Sequence, residues 1–224
     1  MDGSLHAAAD GREIQCERDG PMSGAISFFP WTTTNAENSF SVETVGATQG
    51  FIFDDPVINP TQIAAAVVDA SNTAPLFGGL PLQILLTAAA GREAFHSSAL
   101  LAATNADING FCTFTYAKNG IVVPGSDNVP IYGVGGTCNY VALGSRARLV
   151  LQASSALVDS LSGVGVNTQI SWNFTTGMAD VYNSTTGALP ITNIAGVYIG
   201  NALVAEQVSS TWKFRYGNAI AVTV

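Results

Sequence analysis

Of the 224 residues, Lys, Arg, Asp and Glu make up only 11%, less than half the share of an ordinary soluble domain. The net charge of −8 and sequence pI near 4.4 exclude the basic face that nucleic acid or an anionic membrane surface requires. With 47% hydrophobic residues and a mean hydropathy of +0.30, the chain can fill a core, and its surface is one that neighbours cover.

Residues 1–24 are polar and uneven in charge. Asp2, Asp10, Glu13, Glu17 and Asp19 stand against Arg12 and Arg18, and the segment ends at Gly20-Pro21. It reads as a flexible N-terminal arm that precedes one domain over 25–224. No basic stretch followed by an apolar run opens the chain, so no secretory leader is expected. The apolar run Leu80–Ala90 is too short for the ~20 residues a membrane helix needs. Cys16, Cys112 and Cys138 show no paired spacing and read as reduced thiols of a protein assembled in a cytoplasm. Cys112 and Cys138 fall in strand-like runs and read as small core residues.

From Ala25 the character turns apolar. Ala25–Trp31 is a short apolar run, Ser39–Val45 alternates with period two, and Gly50–Phe53 is β-prone up to Asp54-Asp55-Pro56. Thr61–Ala70 is ambiguous between helix and strand, because Ala64-Ala65-Ala66 favours one and Val67-Val68 the other. Leu76–Leu86, interrupted by Gly78-Gly79 and Pro81, reads as a bent strand. Arg92–Thr104 has Phe95, Ala99 and Leu100 at helical spacing and is the best helix candidate. Strands are expected at Phe111–Ala117, Ile121–Val123, Tyr140–Leu143, Ala147–Ala153 and Gln169–Phe174, then at Val197–Ile199, Trp212–Tyr216 and Ala219–Val224. Turns such as Lys118-Asn119-Gly120, Gly144-Ser145 and Thr175-Thr176-Gly177 separate them. The pattern predicts an all-β chain, a single β-sandwich or jelly-roll-like domain with at most one or two short helices.

Catalytic constellations are hard to assemble. A hydrolase triad needs a base, and only His6 and His96 are available. Gly133–Cys138 approaches a dinucleotide-binding glycine motif but lacks its last glycine, and reads as a glycine-rich turn. Asn105–Gly110 matches half of a calcium loop, yet its twelfth position is Tyr116 rather than Glu. It reads as an Asx-rich turn before a strand. Asp54-Asp55 either caps a turn at Pro56 or holds a cation at a subunit contact. Trp212, Phe214 and Tyr216 share one strand face and Lys213 and Arg215 the other, as in a strand whose aromatic side enters the core. Arg146 and Arg148 are expected to share a strand face that is either solvated or paired with acids across an interface.

The runs Gly50–Pro56, Pro75–Gly79, Val129–Gly136, Ser145–Leu149 and Ile170–Phe174 carry a resemblance to virion structural proteins of tailed bacteriophages. The chain is most similar to capsid decoration (cement) proteins over about residues 45–224. The resemblance implies a β-rich protein with no catalysis and no cofactor. It also implies a seat on the outer capsid surface, with the major capsid protein as partner and a homotrimer as the common form. On that expectation Arg12, Glu13, Arg18, Asp54, Asp55, Arg146 and Arg148 are candidate subunit or capsid contacts. No metal ligands, nucleic acid or membrane enter this reading. The alternative is a tail-fibre or other virion surface module that binds host glycans, which requires an exposed platform of Trp212, Phe214 and Tyr216.

Overall fold

The structure, a computed structural model, describes residues 47–50, 63–87, 96–113 and 128–224. The N-terminal arm lies outside the described residues, as do the runs 25–31, 39–45 and 51–53, most of the expected strand 111–117, the strand 121–123, and Arg12, Glu13, Arg18, Asp54 and Asp55.

The described chain is all-β, with one short helix. Strands β1 (Ala47–Thr48), β2 (Ile63–Val68), β3 (Leu76–Phe77), β4 (Pro81–Thr87), β5 (His96–Leu101), β6 (Gly110–Cys112), β7 (Ile131–Tyr132), β8 (Thr137–Ala142) and β9 (Arg148–Gln152) precede helix α1 (Ser155–Ser160). Strands β10 (Ile170–Asn173), β11 (Met178–Val181), β12 (Asn193–Val208) and β13 (Thr211–Thr223) follow it. Strands β2-β5-β4-β6-β8 close into a barrel, β1-β12-β13-β9 form a four-stranded sheet, and β10–β11 and β3–β7 are two-stranded pairs.

Two expectations are corrected here. Arg92–Thr104 is not helical where it is described, because His96–Leu101 is strand β5. It pairs antiparallel with β4 from Leu82↔Leu101 to Thr87↔His96, and parallel with β2. Ala99 is thereby drawn into the core, and tertiary pairing overrides the helical propensity of Ala and Leu. Leu76–Leu86 is not one bent strand either. Gly78-Gly79 turns the chain so that β3 pairs with β7 while β4 enters the barrel. The ambiguous Thr61–Ala70 resolves to strand β2.

The barrel is narrow, and its residues are small to match. By register, Ala66 and Val68 of β2, Ala99 of β5, Leu82 of β4, Cys112 of β6 and Cys138 of β8 share one face, and all are buried. Val67 and Leu85 on the opposite face are exposed, so the shared face is the barrel interior. Five strands enclose little space, which suits Ala and Cys better than Leu or Phe. Cys112 and Cys138 are free thiols, fully buried, as the sequence led one to expect.

One contiguous core joins the barrel to the four-stranded sheet. It takes in Leu82, Phe111 and Val141 from the barrel and Leu149, Leu151, Leu203, Phe214, Ile220 and Val222 from the sheet. Trp172 of β10 and Leu157 of α1 belong to the same cluster. The Phe77 and Trp212 rings meet with centroids 4.6 Å apart. On the other face of the sheet Val150, Ala202, Val204 and Ala219 form a second small cluster with Tyr198.

Strands β12 and β13 form a single long hairpin where the sequence suggested three separate strands. Register shifts between Ile194 and Gly196 and between Tyr198 and Ala202 absorb the irregular residues. Its two-residue turn is Ser209-Ser210, with φ of 49° and 70°. Positive φ at both positions defines a turn that favours Asn-Gly, and L-serine is strained there. The double change Ser209→Asn with Ser210→Gly should therefore raise stability by about 1 kcal/mol. A thermal melt showing no gain would mean that the hairpin turns differently.

Candidate interaction surface

Arg146 and Arg148 do not share a strand face. Arg146 lies before β9 with φ of 61°, and its backbone N–H donates to Val224 O at 2.7 Å. The left-handed residue breaks the alternation, so only Arg148 belongs to the strand. Arg148 is opposite Thr223, and Lys213 and Arg215 lie further along β13 on that same side. Alternation puts these three cations on the sheet face that carries Val150, Ala202, Val204 and Ala219, away from the main core. Arg148 and Arg215 stand about 25 Å apart along it, eight residues at strand rise. Burial raises the Tyr198 phenol above its ordinary range, and Arg148 pulls in the opposite direction.

The aromatic stripe divides. Phe214 is buried and Trp212 packs against the core, as an amphipathic strand requires, while Tyr216 is 67% exposed. One exposed ring is not a three-ring platform.

The polar groups of this weakly charged chain are satisfied by neutral carboxamides. Asn72 Oδ1 accepts the Leu101 N–H at 2.8 Å, and its Nδ2 donates to Ala99 O at 2.9 Å. Asn109 takes both groups of Ile84, accepting its N–H at 2.7 Å and donating to its carbonyl at 3.1 Å. Asn105 Oδ1 accepts the Trp172 N–H at 3.0 Å, and its Nδ2 donates to Thr186 O at 3.1 Å. Gln49 Oε1 accepts the Ala205 N–H at 2.8 Å. Asn218 Oδ1 accepts the Gly200 N–H at 2.8 Å in the β12 bulge. Each side chain stands in for a peptide group where the strand ladder stops, because an amide offers both a donor and an acceptor. The Asn105–Gly110 segment is thus a turn whose amides fasten elements together, with a 3-10 turn at Asn105–Asp107 leading into β6. Gly133–Cys138 likewise forms a turn, with Gly135 and Gly136 bonded to Val68.

A single carboxylate cluster organises the region around α1. Ser154 Oγ accepts the Leu157 N–H at 3.1 Å as the helix cap and donates to Asp180 Oδ1 at 2.6 Å. Asn173 Nδ2 donates to Asp180 Oδ2 at 3.2 Å, and the Val181 N–H to Oδ1 at 2.9 Å. These donors, the Ser154 hydroxyl first, hold the Asp180 carboxyl below its usual range against partial desolvation. A carboxyl with a lowered folded pKa stabilises the fold above the unfolded value, and that gain is lost as pH falls through the folded value. Thermal melts from neutral pH into the acid should show the stability gap between wild type and Asp180→Asn closing in that window. A gap that stays constant with pH would remove Asp180 from acid sensitivity. Ser154→Ala, which loses both the cap and the Asp180 bond, should cost about 1–2 kcal/mol.

The remaining surface is apolar to an unusual degree. Leu86 is 84% exposed and Ile199 71%, and Ile131, Val134 and Val166 are also exposed. Val67 and Leu85 flank Ser98 in one row across the barrel exterior. Among the described residues no three His, Cys, Asp or Glu side chains converge as a metal site would need, and no helix is long and apolar enough to cross a membrane. Comparison of the chain with protein-family models and with curated protein sequences finds no match.

Proposed function

We propose that the chain is a non-enzymatic capsid decoration (cement) protein of a tailed bacteriophage, which binds the outer capsid lattice and bridges neighbouring capsid subunits. The observation that carries this reading is the exposed aliphatic surface of a chain with 11% charged residues. Interface cores are depleted of charge and rich in apolar area. A free protein with Leu86, Ile199, Val67 and Leu85 in water gains by covering them. The resemblance carried by Gly50–Pro56 and Val129–Gly136 names the kind of lattice, a shell of major capsid protein.

In this reading the four-stranded sheet and the barrel wall act as the two layers of a sandwich-like body. A homotrimer presents three such bodies at once, and multivalency turns contacts of modest area into stable attachment. Each bridging contact should bury at least about 1,000 Å².

The test is sedimentation of the purified protein with capsids that lack it. Saturable co-migration at a fixed ratio to the major capsid protein is the expected result, with a trimer in sedimentation equilibrium of the protein alone. Absence of binding by a folded, soluble protein would overturn the reading. It would also send the search to host glycans, with Tyr216 as the ring to test.

A further inference from the structure

We propose that Cys112 and Cys138 are a redox-closable pair, a dithiol inside the barrel that a small-molecule disulfide converts into a staple between β6 and β8. The two strands are neighbours, with Cys112 opposite Tyr140, and Cys138 lies two residues along the same face of β8. Both side chains are fully buried, and the two sulfurs are within hydrogen-bonding reach of each other. Disulfide formation needs them to come from contact to about 2.05 Å, a shift that side-chain rotation and slight strand movement supply. The bond would close a loop of more than two dozen residues, from one barrel strand to the next, and so hold the barrel shut.

The chemistry is thiol–disulfide exchange in two steps. One cysteine, as thiolate, attacks a sulfur of a low-molecular-weight disulfide such as glutathione disulfide. A mixed disulfide forms, and one equivalent of small thiol leaves. The second cysteine then attacks the protein sulfur of the mixed disulfide, forming the Cys112–Cys138 bond and expelling the second small thiol. Two protein thiols are oxidised, one small disulfide is reduced to two thiols, and the two protons go to the leaving thiolates.

Burial makes this pair slow. The Cys112 thiol is pushed well above its ordinary value by desolvation first and by Cys138 second, and a buried protonated thiol is a poor nucleophile. Exchange therefore proceeds through transient opening of the barrel. In a reducing cytoplasm the pair stays as thiols, and prolonged exposure to oxidising surroundings closes it irrespective of what the protein binds.

The test uses the full chain with Cys16→Ser, so that the pair alone can react. After incubation with glutathione disulfide, intact mass should show the loss of two hydrogens, and peptide mapping should link Cys112 to Cys138. The rate should rise steeply with temperature or mild denaturant, and the closed form should melt about 5–10 °C higher than the reduced form. Accumulation of the stable mixed disulfide, oxidation that lowers the melting temperature, or thiols that stay free under conditions that open the barrel would each overturn the proposal. Cys138→Ala in the same background should form only the mixed disulfide. If it instead lost two hydrogens, the bond would have been assigned to the wrong residues.

Discussion

Gly50→Ala should be the most damaging single substitution among the described residues, with a loss beyond about 4 kcal/mol. After β1 pairs with β12, the Gln49 N–H donates to Leu203 O and the Gly50 N–H to Val150 O, each at 2.8 Å. The segment then crosses the Gly78-Gly79 turn, which is itself fixed by the Gly79 N–H donating to Cys112 O at 2.8 Å. A Cβ on Gly50 would lie 2.3 Å from the Gly78 Cα and 2.7 Å from the Gly79 nitrogen. These are backbone atoms held by hydrogen bonds on both sides, so nothing nearby can give way. Gly50 also has φ of +77°, which costs an L-residue about 1–2 kcal/mol by itself.

Gly144 separates the two effects. Its φ is +80°, but a Cβ there meets nothing within 4 Å. Gly144→Ala should therefore cost only the backbone strain and yield folded protein, while Gly50→Ala should accumulate insoluble or melt far lower. Equal losses in the two variants would show that the crossing of β1 over the Gly78-Gly79 turn is looser than described.

How much of this was legible in the sequence depends on the range of the interaction. Alternation within one strand was readable. Trp172 sits on the buried side of β10 as its period-two pattern predicts, and Phe214 is buried while Lys213 and Arg215 take the other face. Pairing between distant strands was not readable. Nothing in His96–Leu101 reveals that β4 and β2 will hold it extended. The long β12 was hidden because Gly196, Gly200 and Asn201 look like breaks, yet a bulge bonded to Asn218 carries the strand past them. The candidate contacts fared in the same way. Arg146 and Arg148 looked like neighbours on a face until a left-handed residue broke the alternation. Cys112 and Cys138 were legible as core residues one at a time, but their meeting is a property of barrel closure. The carboxamides left the faintest signal. The chain has many Asn residues in turn-like settings, and only the fold shows which of them enter the interior.

Asn105 is the one for which that placement matters most. It is 3% exposed and joins the segment before β6 to Trp172 of β10 and to the turn at Thr186. Asn105→Ala should cost about 2–4 kcal/mol, since it strands a buried N–H and a buried carbonyl as well as leaving a void. Asn105→Asp is the sharper test because its shape is nearly unchanged. The carboxylate can still accept from the Trp172 N–H, but it has no donor for Thr186 O and turns negative charge toward a carbonyl. Ionisation in that setting is disfavoured, so the introduced carboxyl has a folded pKa above its unfolded value. The folded state then binds more protons than the unfolded one, and stability falls as pH rises from the unfolded value through the folded one. Urea titrations across the acid range should show Asn105→Asp weakening toward neutral pH while Asn105→Ala keeps a constant deficit relative to wild type. If Asn105→Asp matched wild type at neutral pH, the donor to Thr186 would carry no weight, and the tie between barrel and β10 would have to lie in apolar packing alone.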